Sequence, residues 1–252
     1  MNIESDKISV IGRLLEEVSW DGAMVRRYRK GGGRGYENVL TAEALQGLNF
    51  LPRTHFWASV LAHAHGADMA RSKLMSEIED ARFTLLPGNQ KLIPSGDRHQ
   101  SQLPVQPDGI IESANTFTIV EAKRIRGGSF QPQQLAREYV LVLRDAGERT
   151  PILLLIIGSP PPVKVTKHGR LQLAEAISLH LDDVLAKAEN CPFSSAQALD
   201  QIDDVVCWVT WEEIAQTVSE QLQALHAADP SVYACIGRIA HSVTDAISWH
   251  NV

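Results

Sequence analysis

The chain has 252 residues, 44% of them hydrophobic, so it can bury a large core and wholesale disorder is excluded. Its 24 basic and 30 acidic residues give a net charge of −6, which argues against a protein that coats nucleic acid without specificity. Three widely spaced cysteines fit neither a disulfide framework nor a zinc knuckle, and no apolar run approaches the roughly 20 residues of a membrane span. We expect no secretory signal, a cytoplasmic location and no membrane partner.

A basic, glycine-rich segment follows a predicted amphipathic helix that runs from about Lys7 to Ser19. The segment contains five cations and no acid, namely Arg26, Arg27, Arg29, Lys30 and Arg34. A second helical pattern starts near Tyr36 and continues through Leu48. The Walker pattern GxxxxGK[ST] is absent, which excludes the usual phosphate loop of nucleotide hydrolases. Two interpretations stay open, a solvated flexible loop or a loop that grips a phosphate backbone through its arginines.

Helical spacing returns from Thr54 to Ala81, where Gly66 is placed to interrupt it. His63 and His65 do not suggest a metal site, because residues two apart do not share a helix face and the HExxH spacing is missing. Short strands are predicted at Arg82 to Leu86 and at Lys91 to Pro94. The polar stretch from Ser95 to Pro104 is predicted to be irregular.

The stretch QPDGIIESANTFTIVEAK, residues 106–123, contains the strongest signal in the chain. Two apolar runs, Gly109 to Ile111 and Thr116 to Val120, are predicted to pair as a hairpin across a turn-like Glu-Ser-Ala-Asn segment. Side chains alternate along a strand, so Glu121 and Lys123 share one face while the alanine between them packs behind. Asp108 reaches the same face if the hairpin forms. Two carboxylates and one amine would then converge on one point.

The chain after Lys123 alternates helices with strands. A helix is predicted from Pro132 to Ala146 and a doubly buried strand from Thr150 to Gly158, which together form a parallel crossover with the preceding strand. Further predicted elements are a helix from Leu171 to Glu189, a strand at Val205 to Val209, a helix from Trp211 to Ala227 capped by Thr210, and a helix from Pro230 to Trp249. The fold class is therefore predicted to be α/β, with a mixed central sheet flanked by helices.

Pro107-Asp108 and Glu121-Ala122-Lys123, in this context, resemble the signature of the PD-(D/E)XK nuclease superfamily. The resemblance implies a restriction-endonuclease-like core at 35–160, preceded by the helix and basic loop at 1–34. Residues 161–252 would add helices and one further core strand to the same compact domain. It also implies a Mg²⁺-dependent nuclease, with Mn²⁺ as a substitute, that hydrolyses DNA, RNA not being excluded. Restriction or phage defence is the setting by analogy.

The resemblance also assigns roles to individual residues. Asp108, Glu121 and the backbone carbonyl of Ala122 would hold the metal. Lys123 would either orient the attacking water or stabilise negative charge, its pKa lowered beside the ion. The superfamily often adds an acid from a preceding helix, for which Glu37 is the first choice. Its rivals are Glu43 and Glu77.

The substrate contacts implied by the resemblance come from two further places. Arg124 and Arg126, with the cluster at 26–34, would contact phosphates. One branch of the superfamily has a Gln and a Tyr on the following helix, for which Gln134 and Tyr139 are candidates, although their spacing is one residue longer than QxxxY.

Three interpretations of the signature remain open at this stage. The first is the DNA nuclease, as a homodimer or with a partner subunit that supplies recognition. The second is a catalytically silent nuclease fold that binds nucleic acid or assembles complexes. The third is an unrelated α/β interaction protein, in which the ExK triplet is an accident.

Overall fold

The computed structural model describes residues 36–88, 90–92, 103–226 and 229–252. The predicted N-terminal helix and the basic cluster at 26–34 lie outside these residues, as does most of the polar stretch 95–104. The described strands are β1 (Arg82–Leu85), β2 (Gln90–Leu92), β3 (Leu103–Val105), β4 (Gly109–Glu112), β5 (Thr116–Ala122), β6 (Thr150–Ile157), β7 (Val163–Val165), β8 (Gly169–Leu171) and β9 (Val206–Thr210).

The described helices lie before, between and after these strands. They are α1 (Glu37–Phe50), α2 (Phe56–His63), α3 (Asp68–Glu77), α4 (Gln134–Asp145), α5 (Leu173–Ser178), α6 (Leu181–Leu185), α7 (Ser195–Asp200), α8 (Ile202–Val205), α9 (Trp211–Ala224) and α10 (Pro230–His250). No helix of the described residues is long and apolar enough to cross a membrane.

The central sheet has five strands in the order β1-β4-β5-β6-β9. β4 pairs antiparallel with β1 and β5, while β5, β6 and β9 run parallel, so the predicted mixed sheet is confirmed. Glu112 and Phe117 pair at one end of the predicted hairpin, and Gly109 and Val120 pair at the other. The crossover through α4 is the expected connection between the parallel strands β5 and β6.

Helices cover both faces of the sheet, and the sequence of β6 shows how. Ile152, Leu154 and Ile156 pack into the core formed with α1, α2, α3, α9 and α10. Residues 153, 155 and 157 pack into the core formed with α4 to α8. An uninterrupted apolar strand therefore satisfies both cores at once, as expected for a strand buried on both sides.

Several boundaries differ from the sequence-based prediction. Gly66 does interrupt the helix predicted from Thr54 to Ala81, since both Gly66 and Ala67 adopt positive φ. The helix predicted from Leu171 to Glu189 is wrong, because its first residue ends β8. The rest divides into α5 and α6, and the Ser178 hydroxyl bonds the Glu175 carbonyl where α5 ends. The β7–β8 hairpin and strand β3 were not predicted.

Candidate metal centre

Asp108 reaches the site through the β4–β5 hairpin. Its backbone N–H donates to the carbonyl of Val120 at 3.0 Å, which continues the ladder one residue beyond β4. Its side-chain Oδ2 accepts a hydrogen bond from the Ala122 N–H at 2.8 Å. Only 6% of Asp108 is exposed to solvent. The carboxylate is therefore fixed beside the end of β5.

Glu121 and Lys123 lie at the end of β5 and share a face, as the alternation of the strand predicts. The Lys123 ammonium contacts Glu121 Oε1 and lies 2.9 Å from Glu37 Oε1. Glu37 is the first residue of α1, and its other oxygen accepts from the Arg124 N–H at 3.3 Å. The four residues predicted to be catalytic are thus brought together.

The two rivals of Glu37 have other partners. Glu43 Oε2 lies 3.2 Å from Nε2 of His250, which joins α1 to the end of α10. Glu77 Oε2 accepts from the Asn115 N–H at 3.2 Å and so holds the hairpin turn. Of these three candidate acids, Glu37 is therefore the one that joins Asp108 and Glu121.

The three carboxylates fit a divalent cation. One oxygen each from Glu37, Asp108 and Glu121 lies within 4.8 Å of the others. Mg²⁺ takes its oxygen ligands at about 2.1 Å, so any two ligands of one ion are at most about 4.2 Å apart and the carboxylates would close in on a bound ion. In the described part of the chain, Glu121 Oε2 is buried without a hydrogen-bond donor, which leaves it free for a cation. A donor set made only of oxygen suits Mg²⁺ or Mn²⁺.

The electrostatics of the site also favour a cation. Burial raises the pKa of Asp108 from 3.8 to about 7, and the charge of Glu121 adds to the rise. Burial likewise raises the pKa of Glu121, although the Lys123 ammonium opposes this. Burial would lower the pKa of Lys123, but Glu121 and Glu37 outweigh it and raise the pKa above its ordinary value. The carboxylates by themselves therefore favour the ammonium form of Lys123, and the lowering predicted beside a metal stays a prediction.

Glu138 is a fourth carboxyl in the site, and sequence analysis missed it. It lies on α4, is 1% exposed, and lies beside Glu121 and Gln134. Burial raises the pKa of Glu138 well above its usual value, and the charge of Glu121 raises it further. Its neutral form adds no negative charge beside Glu121. The sequence feature that could have revealed Glu138 is its position four residues after Gln134, on the same helix face and among apolar residues.

Of the two residues predicted on α4, Gln134 lies in the site and Tyr139 does not. Gln134 Nε2 donates to Glu121 Oε1, so this residue joins the site as predicted. The Tyr139 hydroxyl donates to the buried carbonyl of Ala198 at 2.6 Å, within the core on that side of the sheet. The assignment of Tyr139 to the substrate site is therefore wrong. In the QxxxY pattern the tyrosine follows the glutamine by four residues, and in this chain the residue four positions after Gln134 is Glu138.

Tyr139→Phe is expected to lower the free energy of unfolding by roughly 1–3 kcal/mol, because the Ala198 carbonyl loses its donor. It should leave the stabilisation by Mn²⁺ unchanged. Thermal denaturation with and without Mn²⁺ measures both effects. Gln134→Ala is the comparison, since it removes a donor from Glu121 and should alter the response to Mn²⁺. An altered Mn²⁺ response in Tyr139→Phe at unchanged stability would place Tyr139 in the site after all.

The backbone at and after Lys123 packs against the C-terminal end of β6 and the first residue of α9. Trp211 Nε1 donates to the Lys123 carbonyl at 2.7 Å, and the Thr210 cap fixes the start of α9. A Cβ at Gly158 would lie 1.8 Å from the Ile125 carbonyl, so a side chain there would push the loop away. These contacts set the position of Lys123 from behind.

The remaining predicted contacts are brought to the site only in part. Arg124 is exposed and lines the pocket that opens over the carboxylates, whose volume is about 960 Å³. Arg126 Nε donates to Asn251 Oδ1 at 2.9 Å, next to the end of α10. The Ala122 N–H is used by Asp108, and a role for the Ala122 carbonyl stays a prediction. The cations at 26–34 lie outside the described residues and also stay predictions.

The two histidines have ordinary structural roles. The ring of His65 stacks on Trp208 with 4.1 Å between centroids, and its Nε2 lies 2.9 Å from Glu213 Oε1. His63 Nδ1 lies 2.8 Å from the Ser59 carbonyl oxygen.

Comparison of the chain with family models, with curated proteins and with solved structures found no match. We therefore infer the function from the geometry of the site.

Proposed function

We propose that this protein is a Mg²⁺-dependent nuclease that hydrolyses phosphodiester bonds in DNA. The observation that carries the proposal is the convergence of Glu37, Asp108 and Glu121 within 4.8 Å, with the Lys123 amine 2.9 Å from Glu37. A buried cluster with three carboxylates and one amine is unfavourable unless something offsets its negative charge. A divalent cation supplies that offset.

Each residue then has a separate task. Glu37, Asp108 and Glu121 would hold the cation, which when bound lowers the pKa of water and neutralises charge on phosphoryl oxygens. The raised pKa of Lys123 favours its ammonium form, so it acts as a hydrogen-bond donor to the attacking water or to the phosphate. Glu138, on α4, would help to hold the Glu121 side chain in place.

The surroundings of the site are consistent with a nucleic acid strand. The pocket over the carboxylates is lined by Tyr36, Gln106 and Arg124, and by Arg137 in the first turn of α4. Its volume of about 960 Å³ leaves room for a nucleotide beside the cation. Arg124 can contact a phosphate without reading a base.

Cation-dependent cleavage tests the proposal. The protein is incubated with linear, circular and single-stranded DNA and with RNA, in Mg²⁺, Mn²⁺ or EDTA. We expect DNA strand breaks that require the cation and fall on the order of 100-fold or more in Glu121→Gln. Glu112→Gln, at the far end of the same hairpin, is the matched control and should cleave normally. Cleavage that continues in EDTA or in Glu121→Gln would contradict the mechanism.

A nucleic-acid-binding module without turnover is the second candidate. The observation in its favour is that Glu121 Oε1 already accepts from Lys123 and Gln134, which satisfies one of the two oxygens without a metal. DNA binding of equal strength in EDTA and in Mn²⁺, without strand breaks in either, would support this alternative.

A further inference from the structure

A second, smaller pocket of about 210 Å³ lies beside the candidate metal centre. It is formed where β5 and β6 end and where the β7–β8 hairpin folds over them. Lys123 and Arg124 line both pockets, so the two are adjacent. The carboxyl ends of parallel strands often form ligand sites, so the position of the pocket favours ligand binding.

The charge of the second pocket is one-sided. Arg124, Lys164 and Arg170 line it together with Lys123, and no acidic residue is among its described lining residues. Within the described ranges, no carboxylate forms an ion pair with Arg124, Lys164 or Arg170. This is a local exception in a chain whose net charge is −6. Its field attracts anions.

The placement of Lys164 and Arg170 adds an independent argument. They are direct partners in the register of β7 and β8, and both are exposed. Like charges directly opposite each other destabilise a strand pair. Arg170 Nη1 also donates to the Pro162 carbonyl at 3.0 Å, which holds the guanidinium near the hairpin. An anion between the two cations would remove the repulsion.

The backbone of the pocket is suited to close approach by a ligand. Gly127 has a φ of +68°, and a Cβ there would meet nothing within 4 Å, so the chain is open on that side. The hairpin is tied to the segment after Lys123 by the Phe130 N–H, which donates to the Lys164 carbonyl at 2.9 Å. The pocket therefore keeps a fixed position relative to Lys123.

We propose that this pocket is a phosphate subsite for the substrate strand, holding a phosphate adjacent to the one that is cleaved. The inference rests on the proposed function and names what the site recognises next to the scissile bond. The phosphate is either an internal diester or a terminal monoester, which carries about twice the charge. In either case the pocket would fix the register of the strand over the carboxylates.

Binding in EDTA tests the subsite separately from cleavage. Lys164→Gln/Arg170→Gln should bind a single-stranded oligonucleotide about tenfold more weakly at about 0.15 M salt. The salt dependence of binding should lose about one unit of slope for each cation removed. Lys167→Gln, at the exposed turn of the same hairpin, should bind like the wild type. Oligonucleotides with a 5′-phosphate, a 3′-phosphate or free hydroxyls, and a circular strand, distinguish a terminal from an internal phosphate.

Inorganic phosphate provides a second readout. In EDTA, phosphate should raise the Tm of the wild type above its value in chloride of equal ionic strength. It should fail to do so in Lys164→Gln/Arg170→Gln. The Tm of this variant in chloride should change little, because relief of the repulsion offsets the loss of the exposed hydrogen bond from Arg170 to the Pro162 carbonyl. Equal oligonucleotide binding by the double variant and the wild type would overturn the subsite while leaving cation-dependent cleavage intact. Loss of binding in the double variant, in a protein that never cleaves, would support the subsite and overturn the nuclease.

Discussion

Asp108→Asn is expected to make the protein more stable in EDTA at about pH 8, although the substitution removes a residue of the proposed active site. Asp108 is 6% exposed and lies beside Glu121, so its charged form is unfavourable in the fold. Asparagine keeps an oxygen that can accept the Ala122 N–H and has no charge to bury. The same substitution should abolish stabilisation by Mn²⁺.

The direction of the pH dependence follows from the raised pKa. The pKa of Asp108 is about 7 in the fold against an ordinary value of 3.8, so the folded protein holds this proton more tightly than the unfolded chain. The stability that the bound proton contributes is fully present below pH 3.8. It is lost progressively as the pH rises from there through about 7. The loss is on the order of 4 kcal/mol, since one pKa unit corresponds to about 1.4 kcal/mol.

Denaturation of the two proteins in EDTA between about pH 5 and pH 8 measures the effect. Asp108→Asn should exceed the wild type in Tm by roughly 10 °C at the alkaline end and by about a third of that at the acidic end. Asp80→Asn, at an exposed position, is the matched control and should follow the wild type. Identical pH profiles for wild type and Asp108→Asn would mean that Asp108 is not buried as a charge.

Local pattern was enough to predict the centre of the site. The alternation of β5 places Glu121 and Lys123 on one face, and the apolar runs on either side of the turn predict the pairing that brings in Asp108. The parallel crossover follows from the buried run of β6. Each of these features follows from the pattern of a single strand or from the order of neighbouring elements, for which periodicity is informative.

Contacts between distant residues were less predictable. Glu37 and Glu43 both lie on α1, and only the packing of α10 shows that Glu43 is engaged with His250. On α4, Glu138 faces Glu121 and the next residue, Tyr139, points into the core. The resemblance to the nuclease signature expects a tyrosine on this helix and therefore selects the wrong one of the two. The β7–β8 hairpin is three residues long on each side, too short for its alternation to stand out.

Lys123→Met is expected to lower stability in EDTA by about 3–5 kcal/mol and cleavage by about 100-fold to 10,000-fold. The side chain is 6% exposed and its amine lies 2.9 Å from Glu37 Oε1 and in contact with Glu121. Methionine fills a similar volume, so the loss reports the charge. Removing one partner of a buried ion pair leaves the remaining carboxylates uncompensated.

The cation separates the structural from the catalytic role of Lys123. Mn²⁺ supplies positive charge to Glu37, Asp108 and Glu121, so it should restore much of the stability of Lys123→Met. It cannot replace a hydrogen-bond donor aimed at the water or the phosphate, so cleavage should stay low. Arg124→Met, at the next, exposed position, should change neither stability nor the Mn²⁺ effect on it. Full cleavage by Mn²⁺-loaded Lys123→Met would reduce Lys123 to a counter-ion that the metal makes dispensable.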